Sequence, residues 1–336
     1  GRPADVAVLA GGALRISTGA RLPAGADAVV RVEDAEAVGG EDVEAVGGEG
    51  AVAVRVAVDP GRDVRRAGED VAPGDVAVRA GERLHLGHVA LLAGLGATVV
   101  ACRRRPRALV VVTGDEVAAT GDAPGDGGIH DVGGPALAAL LRASGADVLA
   151  VRHAGDDRDG TIAAFSDHDA DLVISSGGVS VGPHDHVRGA LAALGADERI
   201  AGLALQPGRP TWLGSVPGEH GPRPVLALPG NPGAAITVAA LLLPPLLGGM
   251  TGRAPAAPLR ARLTAATHGD ARRVRALRVA LGEDADGGRT ATVLQAQQPH
   301  RLASFPATTA FALLPAADGP LPAGAVVEVV VVPAGA

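Results

Sequence analysis

Four acidic side chains and one glycine-rich loop are the residues of this sequence best suited to chemistry on a charged small molecule. The carboxylates are Asp115, Glu116, Asp156 and Asp185, and the loop is the run Ser-Ser-Gly-Gly-Val-Ser-Val-Gly at 175–182. Closely spaced glycines let backbone N–H groups approach a ligand, and with serine hydroxyls they bind phosphate. Carboxylates hold Mg²⁺ against an anionic substrate. These residue types together predict a magnesium-assisted site for a phosphate-bearing substrate.

Each of these residues also has an ordinary structural explanation. An acidic residue after a strand can cap the next helix or stay solvated at the surface, and two glycines can make a plain strand-to-helix turn. The run His184-Asp185-His186 resembles part of a zinc site, but no third protein ligand is identifiable. Convergence of several loops on one glycine-rich segment favours a binding site over these separate explanations.

The elements that must position these residues are strands alternating with helices. Apolar runs at 108–112, 147–152, 171–175, 203–206 and 225–228 predict strands, and the segments 135–144, 160–166, 187–194 and that from Pro232 onward predict helices. Strands that are apolar throughout belong to a sheet covered on both faces. The alternation predicts an α/β fold with a doubly wound, mostly parallel sheet. Ligands of such sheets bind beyond the carboxyl ends of the strands, so we expect the loops that follow the strands to share one edge.

Changes in composition and hydropathy pattern along the chain predict four parts. Residues 1–58 hold short Val/Ala strands between acidic and glycine turns and predict a small β-rich domain. Residues 59–104 form a linking segment with a helix around 88–93. Residues 105–252 are the α/β domain, and residues 253–336 return to short strands and predict a C-terminal β-barrel.

Composition excludes nucleic acid as a partner. The net charge is −7, all 30 basic residues are arginine, and aromatic residues make up only 1% of the chain. A phosphate-backbone binder needs a basic field, and a single-strand binder needs aromatic stacking platforms. Cys102 is the only cysteine, so the chain forms no intrachain disulfide.

We expect a cytoplasmic protein that does not enter a membrane, because no basic segment followed by an apolar stretch marks a signal peptide. One uncharged stretch, 224–252, is long enough to span a bilayer. Its four internal prolines, which include Pro244 and Pro245, should break a spanning helix.

The motifs taken in order resemble the molybdopterin molybdenumtransferase family, the bacterial MoeA type that also forms the E domain of gephyrin. The matching segments are Arg15-Ile16-Ser17-Thr18-Gly19-Ala20 with Pro23-x-Gly25-Ala26-Asp27-Ala28-Val29-Val30, Val64-Arg65-Arg66-Ala67-Gly68-Glu69-Asp70, Val112-Thr113-Gly114-Asp115-Glu116, the 174–182 run with Asp185, Pro207-Gly208-Arg209-Pro210, and Leu228-Pro229-Gly230-Asn231-Pro232. Each segment alone is weak evidence for the family, whereas six in one order are highly specific.

The resemblance implies a function and a set of site residues. It implies a homodimer that uses Mg²⁺ to cleave adenylylated molybdopterin, releases AMP and inserts molybdate into the dithiolene, with the molybdopterin adenylyltransferase as a partner. It implies Glu116, Asp156 and Asp185 as the catalytic and metal-binding residues. The substrate-binding residues that we predict are Thr18, Asp70, Thr113, Gly114, Asp115, Ser176, Gly177, Gly178, Ser180, Arg209, Pro229 and Pro232. Arg209 is assigned to molybdate, because a guanidinium binds an oxyanion through two parallel hydrogen bonds.

Two departures from the family pattern leave alternatives open. The family's N-terminal segment with its Met-Asp-Gly-Tyr-Ala motif is absent from these 336 residues. Asp131-Val132-Gly133 stands where the family commonly has Asp-Ser/Thr-Asn, which removes a hydroxyl and an amide. One alternative is therefore a non-catalytic or weakened molybdopterin-binding paralogue or scaffold. The other is a molybdopterin adenylyltransferase, which uses a similar α/β domain.

Overall fold

The computed structural model of the chain describes residues 6–38, 51–166, 168–179, 185–254 and 257–333. Its contacts divide the chain into two compact units. The first comprises residues 1–80 and 84–98, and the second comprises residues 81–83 and 99–336. The four-part division at 58, 104 and 252 stays a prediction.

The first unit is built of turns around one small sheet and one helix. Strands β1 (Ala35–Val38) and β2 (Ala51–Val54) pair antiparallel. Helix α1 (Leu86–Gly94) contains the helix predicted over 88–93. The His85 side chain caps it by accepting a hydrogen bond from the N–H of Gly87. This bond pairs one of the N–H donors that the start of a helix leaves without a partner. No residue of α1 is buried in the chain.

The second unit begins with strands and helices in alternation, which confirms the predicted α/β class. Its strands are β3 (Arg107–Thr113), β4 (Val117–Ala118), β5 (Ile129–His130), β6 (Asp147–Ala154), β7 (Leu172–Ser176), β8 (Asp197–Ala201), β9 (Leu205–Gln206), β10 (Trp212–Val216) and β11 (Arg223–Leu228). Its helices are α2 (Gly133–Ala143), α3 (Arg158–Phe165), α4 (Val187–Ala193) and α5 (Pro232–Thr251).

The main sheet has the strand order β6-β3-β7-β11-β10-β8. The first four strands are parallel, β10 pairs antiparallel with β11, and β8 pairs antiparallel with β10. Ala108, Val110, Leu172 and Ile174 on the two inner strands are fully buried, as expected for strands covered on both faces. Four of the five predicted strands of this region therefore lie in the sheet, and their carboxyl ends share one edge.

Three details differ from the sequence-based expectation. The run 203–206 does not join the main sheet, because its strand β9 pairs in parallel with a barrel strand, Leu205 opposite Val274. Neither β8 nor β10 is predicted from the sequence. Strand β8 lacks the apolar run by which the other strands are predicted, because it is a polar edge strand with four of five residues exposed. Pro244 and Pro245 do not break the last helix but lie inside α5.

Helix α5 is a core element of the second unit. By length and composition it could cross a membrane, yet 56% of its apolar window is buried inside the protein. Val238, Ala239 and Leu243 are fully buried in the cluster that also contains Leu226 of β11. Each buried side chain of the size of leucine contributes about 1.5–3 kcal/mol. Packing of this kind offsets the two helical hydrogen bonds that consecutive prolines remove.

The C-terminal part is a closed β-barrel, as predicted. The barrel strands are β12 (Leu259–Leu263), β14 (Val274–Glu283), β15 (Arg289–Val293), β16 (Ala310–Leu314) and β18 (Val326–Val331), and the short strands β13 (Thr267–His268) and β17 (Pro320–Leu321) pair with each other in a separate sheet. The order β15-β12-β18-β16-β14 closes on itself through a β14–β15 pairing. Alternate residues such as Leu277, Val279 and Ala312 fill the interior, and closure leaves these strands without a free edge.

Candidate active site

An acidic pocket lies at the carboxyl edge of the main sheet. Its volume is about 370 Å³, and Glu116, Asp156 and Asp185 all line it. The three residues come from the loops after β3, β6 and β7, so they are separated in sequence and meet because parallel strands end together. Among the described residues that line this pocket there is no arginine.

Most of the predicted substrate-binding residues line the same pocket. They are Thr113, Gly114, Ser176, Gly177, Gly178, Pro229 and Pro232. Ser180 lies outside the described residues. Thr18 and Asp70 belong to the first unit, where both are exposed. Asp115 and Arg209 are in the second unit but do not line the acidic pocket.

Hydrogen bonds between strand ends hold the loops of the acidic pocket together. The Gly114 N–H donates to the Ala154 carbonyl at the end of β6, at 3.1 Å. The Gly177 N–H donates to the Leu228 carbonyl at the end of β11, also at 3.1 Å. These bonds extend the sheet by one residue beyond its strands, so the loops start from fixed positions.

Glycine is required at 177 because the loop combines a left-handed backbone with a close approach. Its φ is +97°, which side-chain-bearing residues rarely adopt. A Cβ atom there would also lie 2.5 Å from Thr113 Oγ1. Gly114, at φ +125°, meets the same limit, since a Cβ atom would lie 2.7 Å from Glu116 Oε1. Both glycines therefore make room for polar side chains of the pocket.

Asp115 positions a neighbouring loop. Its Oδ1 accepts the backbone N–H of Asp156 at 3.1 Å, and a Cβ atom at Gly155 would lie 2.7 Å from the same oxygen. Asp115 itself is exposed and outside the pocket lining. Its observed contact is with the loop that carries Asp156, and its predicted role in substrate binding stays a prediction.

Asp131 anchors the start of α2 beside the acidic pocket. Its carboxylate is fully buried and accepts the Gly134 N–H at 2.8 Å, and His153 Nε2 lies 3.1 Å from its other oxygen. Asp131, Val132 and Gly133 all line the pocket, so the departure from the family pattern falls on its wall. Gly133 is buried against Ser176, whose Oγ would be 2.7 Å from a Cβ atom at that position.

The donor set of the acidic pocket fits a hard divalent cation bound together with a substrate. Carboxylate oxygens are the ligands of Mg²⁺, which commonly takes one or two of them plus waters and substrate phosphates. No group of three or more His, Cys, Asp or Glu residues within the described ranges stands close enough to hold a metal ion unaided. The three carboxylates therefore share a pocket without forming a complete protein cage.

A second pocket, the arginine pocket, adjoins the first and has the opposite character. Its volume is about 480 Å³, and Pro210 and Pro229 line both pockets. Three arginines line it from two directions, Arg209 from the turn after β9 and Arg273 and Arg275 from the start of β14. Amide side chains complete its polar wall, namely Gln206, Asn231, Gln297 and Gln298. No carboxylate is among the described residues that line it.

The guanidinium groups of Arg273 and Arg275 differ in their hydrogen-bond partners. Arg273 Nη2 donates to Asp270 at 2.8 Å, and this hydrogen bond is the main reason that the pKa of Asp270 is lowered. Arg275 donates to the His268 carbonyl, while its buried Nε has no hydrogen-bond partner. Sequence reasoning identified Arg209 alone. The cluster Arg272-Arg273-Val274-Arg275 was the available signal, but only the packing of β14 against β9 places it beside Arg209.

Three family models match successive parts of the chain. They are the MoeA N-terminal region (domain I and II) over residues 1–96, the "Probable molybdopterin binding domain" over residues 109–248, and the MoeA C-terminal region (domain IV) over residues 260–332. Their order matches the order of the predicted motifs, and the middle model covers both the β3 and β7 loops of the acidic pocket.

Curated relatives and a solved structure agree with these matches. Molybdopterin molybdenumtransferase 2 of Mycobacterium tuberculosis is 36% identical over 261 residues, which cover 75% of this chain and 61% of that protein. Molybdopterin molybdenumtransferase of Haemophilus influenzae is 31% identical, and the match covers 72% of this chain and 57% of that protein. The chain thus spans about three fifths of the length of these relatives.

The crystal structure of the molybdopterin biosynthesis MoeA protein from Pyrococcus horikoshii superposes with a TM-score of 0.77 at 30% identity. The match covers 98% of this chain and 78% of that one. Since the fold, the three consecutive family models and the order of the motifs coincide along nearly the whole chain, this protein belongs to the MoeA family.

Proposed function

We propose that this chain inserts molybdenum into adenylylated molybdopterin and releases AMP, a late step of molybdenum cofactor biosynthesis. The observation that carries the proposal is the pair of adjoining pockets, one acidic and one lined by arginines, which share Pro210 and Pro229. A reaction between a phosphate ester and a free oxyanion needs two such sites within reach of each other. The names of the curated relatives support the same transferase activity.

In this proposal the acidic pocket binds the pyrophosphate of the adenylylated substrate. Glu116, Asp156 and Asp185 would hold Mg²⁺, which supplies positive charge that neutralises the phosphates beside these carboxylates. The first residues of helices α2 and α5, Gly133 and Pro232, also line the pocket. The electropositive N-termini of these helices favour an anion nearby, although the N–H of the second residue of each helix already donates within the protein. The chain's own contribution is to orient the bond between the phosphates.

The arginine pocket is the proposed site of molybdate. Arg209 is exposed to an incoming anion and presents a planar fork of donors that matches oxyanion geometry. Arg273 and Arg275 also line the pocket and add positive charge, although Arg273 is paired with Asp270. Asn231 begins α5 but makes no capping bond with its side chain, which lines this pocket. The lining of the pocket therefore offers charge and hydrogen bonds and contains no carboxylate of its own among the described residues.

The test measures AMP released from adenylylated molybdopterin by the 336-residue chain. Release is expected to require both Mg²⁺ and molybdate. Arg209→Ala is expected to raise the KM for molybdate, and Arg289→Ala, an exposed arginine of β15, is the matched control. A rate of AMP release that does not depend on molybdate, with no molybdenum cofactor formed, would refute the proposal.

A molybdopterin-binding protein without turnover is the second candidate. The observation that favours it is the apolar wall of the acidic pocket at Val132 and Gly133, where the family pattern has polar side chains. That candidate would bind the adenylylated substrate and fail to release AMP under any metal or oxyanion. The adenylyltransferase alternative has no comparable support, because the family model of the MoeA C-terminal region also matches this chain.

We further propose that the chain acts as a homodimer in the cytoplasm and receives its substrate from the adenylyltransferase. The apolar surface of α1 supports self-association, because Leu86 is 85% exposed and Val89 is 58% exposed. Exposed apolar patches of this kind commonly mark an interface. The molar mass in solution, measured by light scattering, distinguishes a dimer from a monomer.

A further inference from the structure

A buried arginine stands behind the arginine pocket. Arg278 lies on β14 and is 3% exposed. No carboxylate of the described residues pairs with its guanidinium, whose pKa is lowered because it is buried. An uncompensated buried cation is costly, so its retention calls for a strong set of partners.

Those partners are carbonyl oxygens of one irregular loop. The Arg278 guanidinium donates to Arg301 O at 3.1 Å, to Gln298 O at 3.3 Å and to Ala296 O. Its Cζ also lies 4.7 Å from the centre of the Phe305 ring, an attractive geometry for a cation. One side chain thereby satisfies three carbonyls of 296–301, a segment without strand or helix bonds of its own.

The backbone of Arg278 holds the same loop a second time. Its N–H donates to Gln297 Oε1 at 2.9 Å, and its carbonyl accepts Gln297 Nε2, also at 2.9 Å. Ala296, which precedes Gln297, has φ +59°, a conformation that costs free energy for a residue with a side chain. The loop therefore keeps its shape because Arg278 binds it from several directions.

The opposite side of the loop rests on helix α5. The Gly233 N–H donates to the Pro299 carbonyl at 2.9 Å, and a Cβ atom at Gly233 would overlap that oxygen and lie 3.3 Å from Arg278 Nη1. Gln297, Gln298 and Pro299 form one wall of the arginine pocket. The width of that pocket is thus set by a loop clamped between Arg278 and Gly233.

We infer that Arg278 is a positioning residue for oxyanion binding, which holds residues 296–301 in place as one wall of the arginine pocket. The inference rests on the proposed function, in which that pocket binds molybdate. Arg278 does not line the pocket, so its effect passes through the loop.

The experiment compares molybdate binding by the full chain, measured calorimetrically, for the wild type, Arg278→Lys and Gly233→Ala. Lysine keeps the positive charge but cannot reach three carbonyls at once. Gly233→Ala pushes the loop from the other side and leaves the guanidinium intact. Arg289→Lys is the matched control, an exposed arginine on the adjacent strand. Hydrogen exchange of the 296–301 amides reports the loop directly.

Both variants are expected to weaken molybdate binding about tenfold or more. In Arg278→Lys, AMP binding in the presence of Mg²⁺ should stay within about twofold, because Arg278 does not line the acidic pocket. Faster exchange of the 296–301 amides should accompany the loss. If Arg278→Lys does not fold, Gly233→Ala carries the test alone.

Unchanged molybdate affinity in folded variants would overturn the inference, and so would an equal loss of AMP binding in Arg278→Lys. Failure of the proposed function looks different, since the wild type itself would then bind no molybdate. In that case unchanged exchange of the 296–301 amides in the variants would also overturn the positioning role.

Discussion

Two substitutions at Asp115 distinguish a role in binding substrate from a role in positioning the loop that carries Asp156. Its Oδ1 accepts the Asp156 N–H at 3.1 Å. A hydrogen bond to a charged acceptor contributes about 1.5 kcal/mol net. If that free energy holds the Asp156 loop in its productive geometry, Asp115→Ala should slow AMP release about tenfold. Asp115→Asn should stay within about threefold of the wild type, because an amide oxygen accepts the same N–H without a charge.

The assay is AMP release at saturating Mg²⁺ and molybdate, with Asp122→Asn as the control, an exposed aspartate on the same connection. A role in binding substrate or metal through charge predicts a different result, in which Asp115→Asn is as damaging as Asp115→Ala. Equal losses in the two variants would refute the positioning argument and favour the substrate-binding role that sequence analysis predicts. The melting temperature of each variant shows whether a loss reflects the site or the fold.

Three further outcomes are expected. Glu116→Ala and Asp185→Ala should each lower turnover at least about 100-fold while unfolding in urea changes little, and near-normal rates would show that the metal and catalytic assignment is wrong. Burial lowers the pKa of His168 in the folded protein. The neutral imidazole's contribution to stability is therefore complete above the unfolded-state pKa of about 6.5, and it is lost as the pH falls through the lower pKa of the folded state. The melting temperature should therefore decline on acidification below pH 6.5, and less in His168→Gln; identical curves would contradict this reasoning. Gly177→Ala should cost about 2 kcal/mol or more in urea unfolding because of its positive φ and close packing, whereas Gly189→Ala, with open space around it, should not destabilise the protein.

The acidic pocket could be predicted because each of its loops is identified from a short segment of sequence, namely an apolar strand and the residues directly after it. A run such as Leu-Val-Val-Val at 109–112 is apolar throughout, which identifies a strand buried on both faces, and the residues that follow it must lie at the strand's end. Applied to the three loops, this argument places Glu116, Asp156 and Asp185 at one edge, and the structure has them in one pocket. The chemistry assigned to them stays a proposal.

The arginine pocket could not be found in this way, because it depends on which distant segments pair. The run 203–206 looks like another strand of the main sheet, yet β9 pairs with the barrel strand β14, and this pairing brings Arg209 to Arg273 and Arg275. Hydropathy reports that a segment is buried but not which partner buries it. For the same reason the two prolines of α5 read as helix breakers, while the packing around Leu243 maintains the helix.

The amino-acid sequence by itself determined the class of the fold, the apolar elements and the polar residues at their ends, because each follows from burial and spacing within about ten residues of chain. The tertiary structure decided which pocket each residue lines, the role of Asp115 as a hydrogen-bond partner of the Asp156 loop, and the burial of Arg278 behind a loop 18 to 23 residues further along the chain. These features depend on contacts between segments far apart in sequence, whose energies arise only when the whole chain has packed.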